Sequence, residues 1–421
     1  VKKNRISANG LANVKGKKVE VAFNGGDVTS DAGALLLRQA DLKLGLTKSL
    51  ADLIDDSRAQ CQVEHSQLKM IRQRIFGIGL GYEDVNDQAS LRYEPGFQTA
   101  IGEMEPLASA PTICRFENSA TKDWIWSAHQ VMFNTFVSSF SSPPDELILD
   151  FDATDDKIHG LQEGRFFHGY YDNYCFLPLY VFCGSHLLAA YLRPSNIDGA
   201  KHSWGILSIL VKKLRAVWPE VKIIFRADSG FSRYRLFEWC DKNDVYFIIG
   251  QAKNSKLREK LSDLSEEAER AFESTGEKQR CFTTFKYQAK SWSYEQRVIG
   301  KAEHSSLGSN PRFVITNLPG ESSQLYDGLY CQRGDMENRI KEQQLYLFSD
   351  RTSCHGWMAN QFRVILSAFA YILLDTIRRL ALQKTSLARA QCSTIRLKLF
   401  KIGAVIIRNT RRIKFMLSEG Y

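Results

Sequence analysis

The spacing of apolar positions changes character twice along this chain of 421 residues. Residues 19–145 read as mainly helical after an opening strand at 19–23. A turn at Asn24-Gly25-Gly26-Asp27 follows, and then a helix over 34–40 that Ser30 or Asp31 can cap. Apolar residues at helical spacing predict further helices over 63–75 and 124–140. Ser141-Ser142-Pro143-Pro144 breaks this pattern and sets a domain boundary.

Beyond the break the pattern predicts strands over 146–151, 175–182 and 187–192, an antiparallel meander. A helix over 200–217 follows, with Ile206, Leu207, Leu210 and Leu214 on one side. A strand over 221–225, a helix over 232–241 and a strand over 245–249 complete the order βββαβαβ, which is that of the RNase H-like fold. Residues 252–325 then interrupt with a charged helix (256–272) and strands near 281–300 and 312–317. Helices return over 328–348 and 360–382. In the tail, Ile395, Leu397 and Leu399 alternate with Arg396 and Lys398, and Ile413 and Phe415 flank Lys414, which predicts short basic strands. The expected organisation is an α/β protein in five parts. Residues 1–145 form a mainly helical region, and 146–251 the first part of an α/β core. Residues 252–325 form an inserted, partly β subdomain, 326–382 the second part of the core, and 383–421 a basic tail.

Charge sharpens this picture. The 56 Lys and Arg against 47 Asp and Glu give a net +9, unevenly placed. Residues 1–18 carry six basic side chains and no acid, and residues 378–418 carry eleven and no acid. The remaining 39 basic against 47 acidic residues leave a middle of −8. Two basic ends around an acidic middle suit a polyanionic partner, nucleic acid or an anionic membrane surface. No run reaches the ~18 apolar residues needed to span a bilayer; the longest, 365–374, reads as a buried helix. The basic N-terminus has no apolar segment behind it, which argues against a secretory signal. The nine cysteines are odd in number and show no CxxC spacing, so reduced, mostly buried thiols are expected rather than disulfides or zinc.

Three segments place carboxylates where chemistry could use them. Asp150 and Asp152 end an apolar strand and share one face. A carboxylate pair there is costly unless it is solvated or holds a cation; the plainer reading is an acidic turn. Asp228 follows the apolar run 223–225 just before a glycine turn, at a strand's carboxyl end where open α/β sheets bind ligands; it can equally cap the next helix. At 100° per residue Tyr330, Arg333, Glu337, Lys341 and Gln344 share one helical face. Such a face suits a metal and a phosphate together, or a solvated surface with an Arg333–Glu337 pair.

Taken together these segments resemble a DDE-type transposase of a bacterial insertion sequence, in the subgroup with a Y-x2-R-x3-E-x6-K signature. The resemblance rests on Asp150 to Gln162 (DFDATDDKIHGLQ), Arg226 to Phe231 (RADSGF) and Tyr330 to Glu337 (YCQRGDME). It is supported by Pro178-Leu179, Leu192 to Asn196 and Asn360 to Arg363, and covers roughly 20–415. It implies that Asp152, Asp228 and Glu337 are the catalytic, metal-holding acids, with Asp150 in reserve. Tyr330 and Arg333 would contact phosphate. The signature lysine falls on Gln344, and Lys341, one turn earlier, is the expected substitute. The resemblance further implies Mg²⁺, with Mn²⁺ able to replace it, and in-line cleavage and strand transfer of double-stranded DNA. The partners would be terminal inverted repeats and target DNA, bound by a homodimer in a synaptic complex, with residues 1–145 as the DNA-binding region and the core over 146–251 and 326–382 as the catalytic one. A cytoplasmic, nucleoid-associated protein is expected, with Arg408, Arg411 and Arg412 of the tail binding DNA. The competing readings are an RNase H-like nuclease that cuts without joining and an inactive DNA-binding relative. Weaker signals lie in Gly77 to Gly81, in His159 and His168, and in Trp292 and Tyr294. Local turn or packing roles are the expected ones for all of these.

Overall fold

The computed structural model describes residues 11–420. Lys2, Lys3 and Arg5 of the expected basic N-terminus lie outside the described residues. The chain forms two compact units. Among the described residues, one comprises 11–119, 346–348 and 369–420; the other comprises 120–345 and 349–368. The expected break at 141–144 therefore does not divide them: helix Lys122–Val137 belongs to the second unit, and the basic tail belongs with the N-terminal region.

The second unit is built on a nine-stranded mixed sheet. Its main path runs Gln279–Tyr287, Gln296–Ser305, Arg312–Thr316, Tyr246–Gln251, Lys222–Ala227, Glu146–Ala153, Leu179–Cys183 and His186–Tyr191. The three central strands, 246–251, 222–227 and 146–153, run parallel, and the 179–183 and 186–191 strands add antiparallel on one side. Residues 252–325 were expected as an inserted, partly β subdomain, and its strands lie within 279–316. Those strands extend the same sheet, because Phe313 to Thr316 pair with Ile248 to Gln251. The expected strand at 175–182 is two strands, interrupted at Leu177-Pro178. Its first half, Asn173–Phe176, joins a small sheet with Asp156–Lys157 and Phe166–His168.

Alternation along the central strands sends two sets of side chains to opposite faces. Leu147, Leu149, Phe151, Ile223, Phe225, Phe247 and Ile249 face helices 122–137, Ser203–Val217 and Tyr234–Lys242. Ile148, Ile224 and Ile248 face the other way, against Tyr326, Leu329 and Tyr330 of a helical segment. That segment begins with a π-helix at Gln324–Tyr330, tightens to 3-10 at Cys331–Arg333, runs as α-helix over Gly334–Lys341 and widens again at Glu342–Tyr346. Asp150, Asp152 and Asp228 lie on this second face by the same alternation.

In the first unit, Asp27–Thr29, Ala404–Arg408 and Ile413–Leu417 form a three-stranded antiparallel sheet. Two expectations fail here. No strand forms at 19–23; the strand lies at 27–29. The alternating stretch 395–399 is helical, because burial selects Cys392, Ile395 and Phe400 and leaves Leu397 exposed. Arg396 donates to the carbonyls of Ile78 and Gly79 near the end of helix Gln67–Leu80, whose terminal carbonyls need donors. Asp31 does not cap the following helix. It is buried, accepts from the Tyr82 hydroxyl at 2.6 Å and pairs with Lys401 at 2.7 Å. Gly81, the last of the glycine-rich run, ends helix 67–80 with φ 97°, a conformation that favours glycine.

Among the described residues no helix is long and apolar enough to cross a membrane. Residues 365–374 lie in helix Trp357–Ala381 and are buried, as expected. Cys175, Cys183, Cys240 and Cys392 are buried free thiols, but Cys61, Cys114 and Cys331 are exposed, so burial of the cysteines is partial.

Arg74 and Glu117 form a fully buried ion pair at 2.5 Å in the first unit. Removing one charge leaves the other desolvated without compensation, at a cost of about 3–5 kcal/mol. Glu117→Gln should therefore lower the urea midpoint of the full chain substantially, as read by circular dichroism.

Candidate active site

Two parallel strands bring the first two acids together. Their register pairs Asp150 with Arg226 and Phe151 with Ala227. Asp152 and Asp228 are each the next residue on, so they lie side by side at the carboxyl ends. Glu337 comes from the α-helical turn that packs over this end of the sheet. Arg333, one turn earlier, joins the set. Its Nη1 donates to Asp152 Oδ2 at 3.2 Å, and its Nη2 donates to Glu337 Oε1. Asp152 Oδ1 accepts from the amide of Ala153 at 2.9 Å. Asp228 Oδ1 accepts from the amide of Gly230 at 2.9 Å. Asp228 thus does both things its sequence position allowed: it fixes the turn before the 3-10 helix Ser229–Phe231 and stands beside Asp152.

Burial and like charge act on Asp152 together. Loss of solvent raises its pKa, Arg333 lowers it, and Asp228 and Glu337 raise it again, leaving it at about 7. Burial lowers the pKa of Arg333 but Asp152 and Glu337 outweigh this and raise it, so the guanidinium stays charged. Burial also pushes the Tyr330 phenol up, with Arg333 opposing.

Asp150, expected as a further metal ligand, is committed elsewhere. Arg226 Nε donates to its Oδ1 and Arg226 Nη2 to its Oδ2 at 2.7 Å, and the remaining Nη1 donates to the Leu329 carbonyl. Both oxygens of Asp150 are occupied and the side chain is buried. Its role is to anchor the helical segment to the sheet through Arg226. Arg226 was missed in the sequence; the signal was an arginine inside an otherwise apolar strand, which needs a buried acid to face.

The departure at the signature lysine has a structural answer. Gln344 Nε2 donates to the Asp155 carbonyl at 2.8 Å and to the Thr154 hydroxyl at 3.4 Å, tying the helical segment to the loop after Asp152. Lys341 is exposed on the same segment. The π turn at 342–346 breaks the uniform 100° step, so the two positions are not equivalent in space. Gly250 is a second residue the sequence did not single out. A Cβ there would collide with the Tyr330 hydroxyl and sit 2.9 Å from the Ser229 amide nitrogen, so glycine is what lets Tyr330 lie against the sheet.

The remaining expected residues lie apart from the acids. Arg408 is held by the Pro95 carbonyl at 2.6 Å in the first unit, whereas Arg411 and Arg412 are exposed at the turn of the 404–417 hairpin. Trp292 is buried against Tyr234, Phe237 and Tyr287, a packing role. His159 is exposed and His168 half-buried. A cavity of about 630 Å³ between helices 122–137 and 203–217 is lined by Trp126, His129, Phe133, Ile209 and Lys213. It contains no carboxylate, so the chemistry points to the acid cluster instead. Among the described residues no three His, Cys, Asp or Glu side chains stand close enough to hold a metal ion. Arg333 is the cation that lies between Asp152 and Glu337 in this arrangement.

An acid whose folded pKa exceeds its unfolded value of about 3.9 favours folding when protonated. Its contribution is present at low pH and is lost as pH rises from about 4 through about 7. Asp152→Asn should therefore gain stability relative to the parent chain at pH 8 compared with pH 5, by a few kcal/mol (about 1.4 kcal/mol for each tenfold change in proton affinity). Urea melts at the two pH values, in chelator, would show it; an equal difference at both would contradict the raised pKa.

Residues 11–421 match the family described as transposase DDE domain group 1. No curated protein matches the chain. With a match over nearly its whole length, the chain belongs to the transposase DDE domain group 1 family.

Proposed function

We propose that this protein cleaves the ends of its own mobile element and joins them to target DNA, using Asp152, Asp228 and Glu337 as the catalytic acids. The observation that carries this reading is the convergence of three carboxylates from two strand ends and a helix, with Arg333 among them. The order of the central strands, with 146–153 between the antiparallel 179–183 and the parallel 222–227, supports an RNase H-like core.

The donor chemistry is that of a hard divalent cation such as Mg²⁺, which takes carboxylate oxygens and retains water, but the three acids would have to draw together to hold one, since Arg333 lies among them. Asp152, Asp228 and Glu337 would hold it, and when bound it supplies charge stabilisation to the phosphoryl oxygens. The chain's own groups do the rest. Arg333 carries a planar guanidinium suited to a phosphate, and releases the carboxylates when it turns to one. Tyr330, seated on Gly250, places a hydroxyl donor beside it. With its pKa raised to about 7, Asp152 would lose its proton where a cation binds beside it. Gln344 and Arg226 fix the distance between the helical segment and the strand ends, which sets the geometry of an in-line displacement.

The test is a supercoiled plasmid carrying the element's ends, incubated with the full chain and Mg²⁺. The parent should nick and join; Asp228→Asn should lose at least ~100-fold in cleavage, as loss of one group that stabilises the transition state does. Cleavage without joined product would assign a nuclease, and undiminished cleavage by Asp228→Asn would sink the site assignment. Replacement of Arg411 and Arg412 by Gln should weaken DNA binding and reduce the salt slope by about two; an unchanged slope would remove the tail from the DNA contact.

A further inference from the structure

The segment that leaves the sheet after Asp152 carries an unusual group of exposed rings. Residues 154–178 depart after Ala153 and return to pair at Ala153–Leu179, so they rise from the same end of the sheet as Asp152. They form the small sheet in which Asp156 pairs with Phe176 and Phe167 with Tyr174. Its hairpin turns at Gly169–Asp172, closed by the Asp172 amide on the His168 carbonyl at 2.9 Å. Around this tip stand Phe167 (53% exposed), Tyr170 (85% exposed) and the partly exposed Tyr171 and Tyr174.

The rings are ordered among themselves. Tyr170 and Tyr171 meet edge-on at 5.0 Å, His168 lies 4.9 Å from Tyr171, and Phe167 meets Tyr174 at 5.6 Å. The guanidinium of Arg165 stacks 4.9 Å over Tyr174. None of this buries the outer faces of Tyr170 or Phe167. Leaving such rings in water is costly, and large exposed apolar groups gathered on one feature mark a contact surface.

Two observations identify the occupant. The first is continuity with the acids: burial, with Asp155, Asp152 and Asp228 adding to it, raises the Tyr171 phenol to about 12, so its hydroxyl lies in the field of the cluster. The hairpin also rises from the strand end that carries Asp152, since Ala153 pairs with Leu179. The second is charge. At the tip Arg165 and Asp172 offset each other and no lysine is present. A surface made to track phosphates would be cationic. Uncharged rings with free faces fit bases, and bases offer their faces only when unpaired.

We propose that the 166–176 hairpin is a stacking platform for unpaired bases of the DNA strand next to the phosphate held at Asp152, with Tyr170 and Tyr171 as the contacting rings. This rests on the DNA-cleaving reading above. The probes are a labelled (dT)20 strand, the same strand carrying 2-aminopurine, and a 20-base-pair duplex, each titrated with the full chain in chelator. The double variant Tyr170→Ala with Tyr171→Ala should bind (dT)20 roughly tenfold more weakly and lose the 2-aminopurine quench. Tyr170→Trp with Tyr171→Phe should retain both, and duplex binding should not change in either. Unchanged affinity for (dT)20 in the alanine variant, or no binding by the parent, overturns the proposal. So does a change of oligomeric state without a change in strand binding, which would assign the rings to a subunit contact. Circular dichroism confirms that each variant is folded. Failure of the cleavage reading would be seen separately, as an inert plasmid assay with (dT)20 binding intact.

Discussion

Three carboxylates at one end of a sheet repel one another, and burial of Asp152 makes that repulsion expensive. Arg333 relieves it by donating to Asp152 and Glu337 at once. The rest of the second unit depends on this arrangement. The guanidinium can reach both acids only if the 324–346 segment lies flat on the second face of the sheet. Ile148, Ile224 and Ile248 provide the apolar floor for it, and Tyr326, Leu329 and Tyr330 the matching underside. Arg226 adds a polar anchor between Asp150 and the Leu329 carbonyl.

Irregular helix geometry is part of this design. A regular α-helix from Gln324 to Tyr346 would carry its face steadily around the axis. The π turns at each end and the 3-10 turn at 331–333 change the step where contacts demand it. Gln344 reaches the Thr154–Asp155 loop in consequence, and Lys341 is left in solvent. Such interruptions collect at functional sites, where position matters more than ideal hydrogen bonding.

The basic ends have a divided role. Arg396 closes the end of a helix, Lys401 pairs with buried Asp31 and lies 4.1 Å over the Tyr82 ring, and Arg408 is held by a carbonyl. These charges serve the fold of the first unit. Arg411, Arg412 and Lys414 are exposed and remain available to a polyanion. Net charge alone overstates the cationic surface.

The sequence by itself determined the order of the main-sheet strands and their helices from 146 to 251, though not the small sheet of 156–176, because alternation and helical spacing are local signals that a two-faced sheet enforces. It also determined the candidate acids: an acid ending an apolar strand is conspicuous whatever the fold. The partition of the chain was decided only in three dimensions. Residues 279–316 join the main sheet through pairing with 248–251, and the tail pairs with 27–29, both across long separations that periodicity does not encode. The resemblance already ranked Asp152 above Asp150, but the physical ground for the difference is tertiary. The two share a face and differ by two residues, but one meets Arg226 and the other meets Arg333, Asp228 and Glu337. Alternation fixes which way a side chain points; only the neighbouring strand and the helix above fix what it meets there.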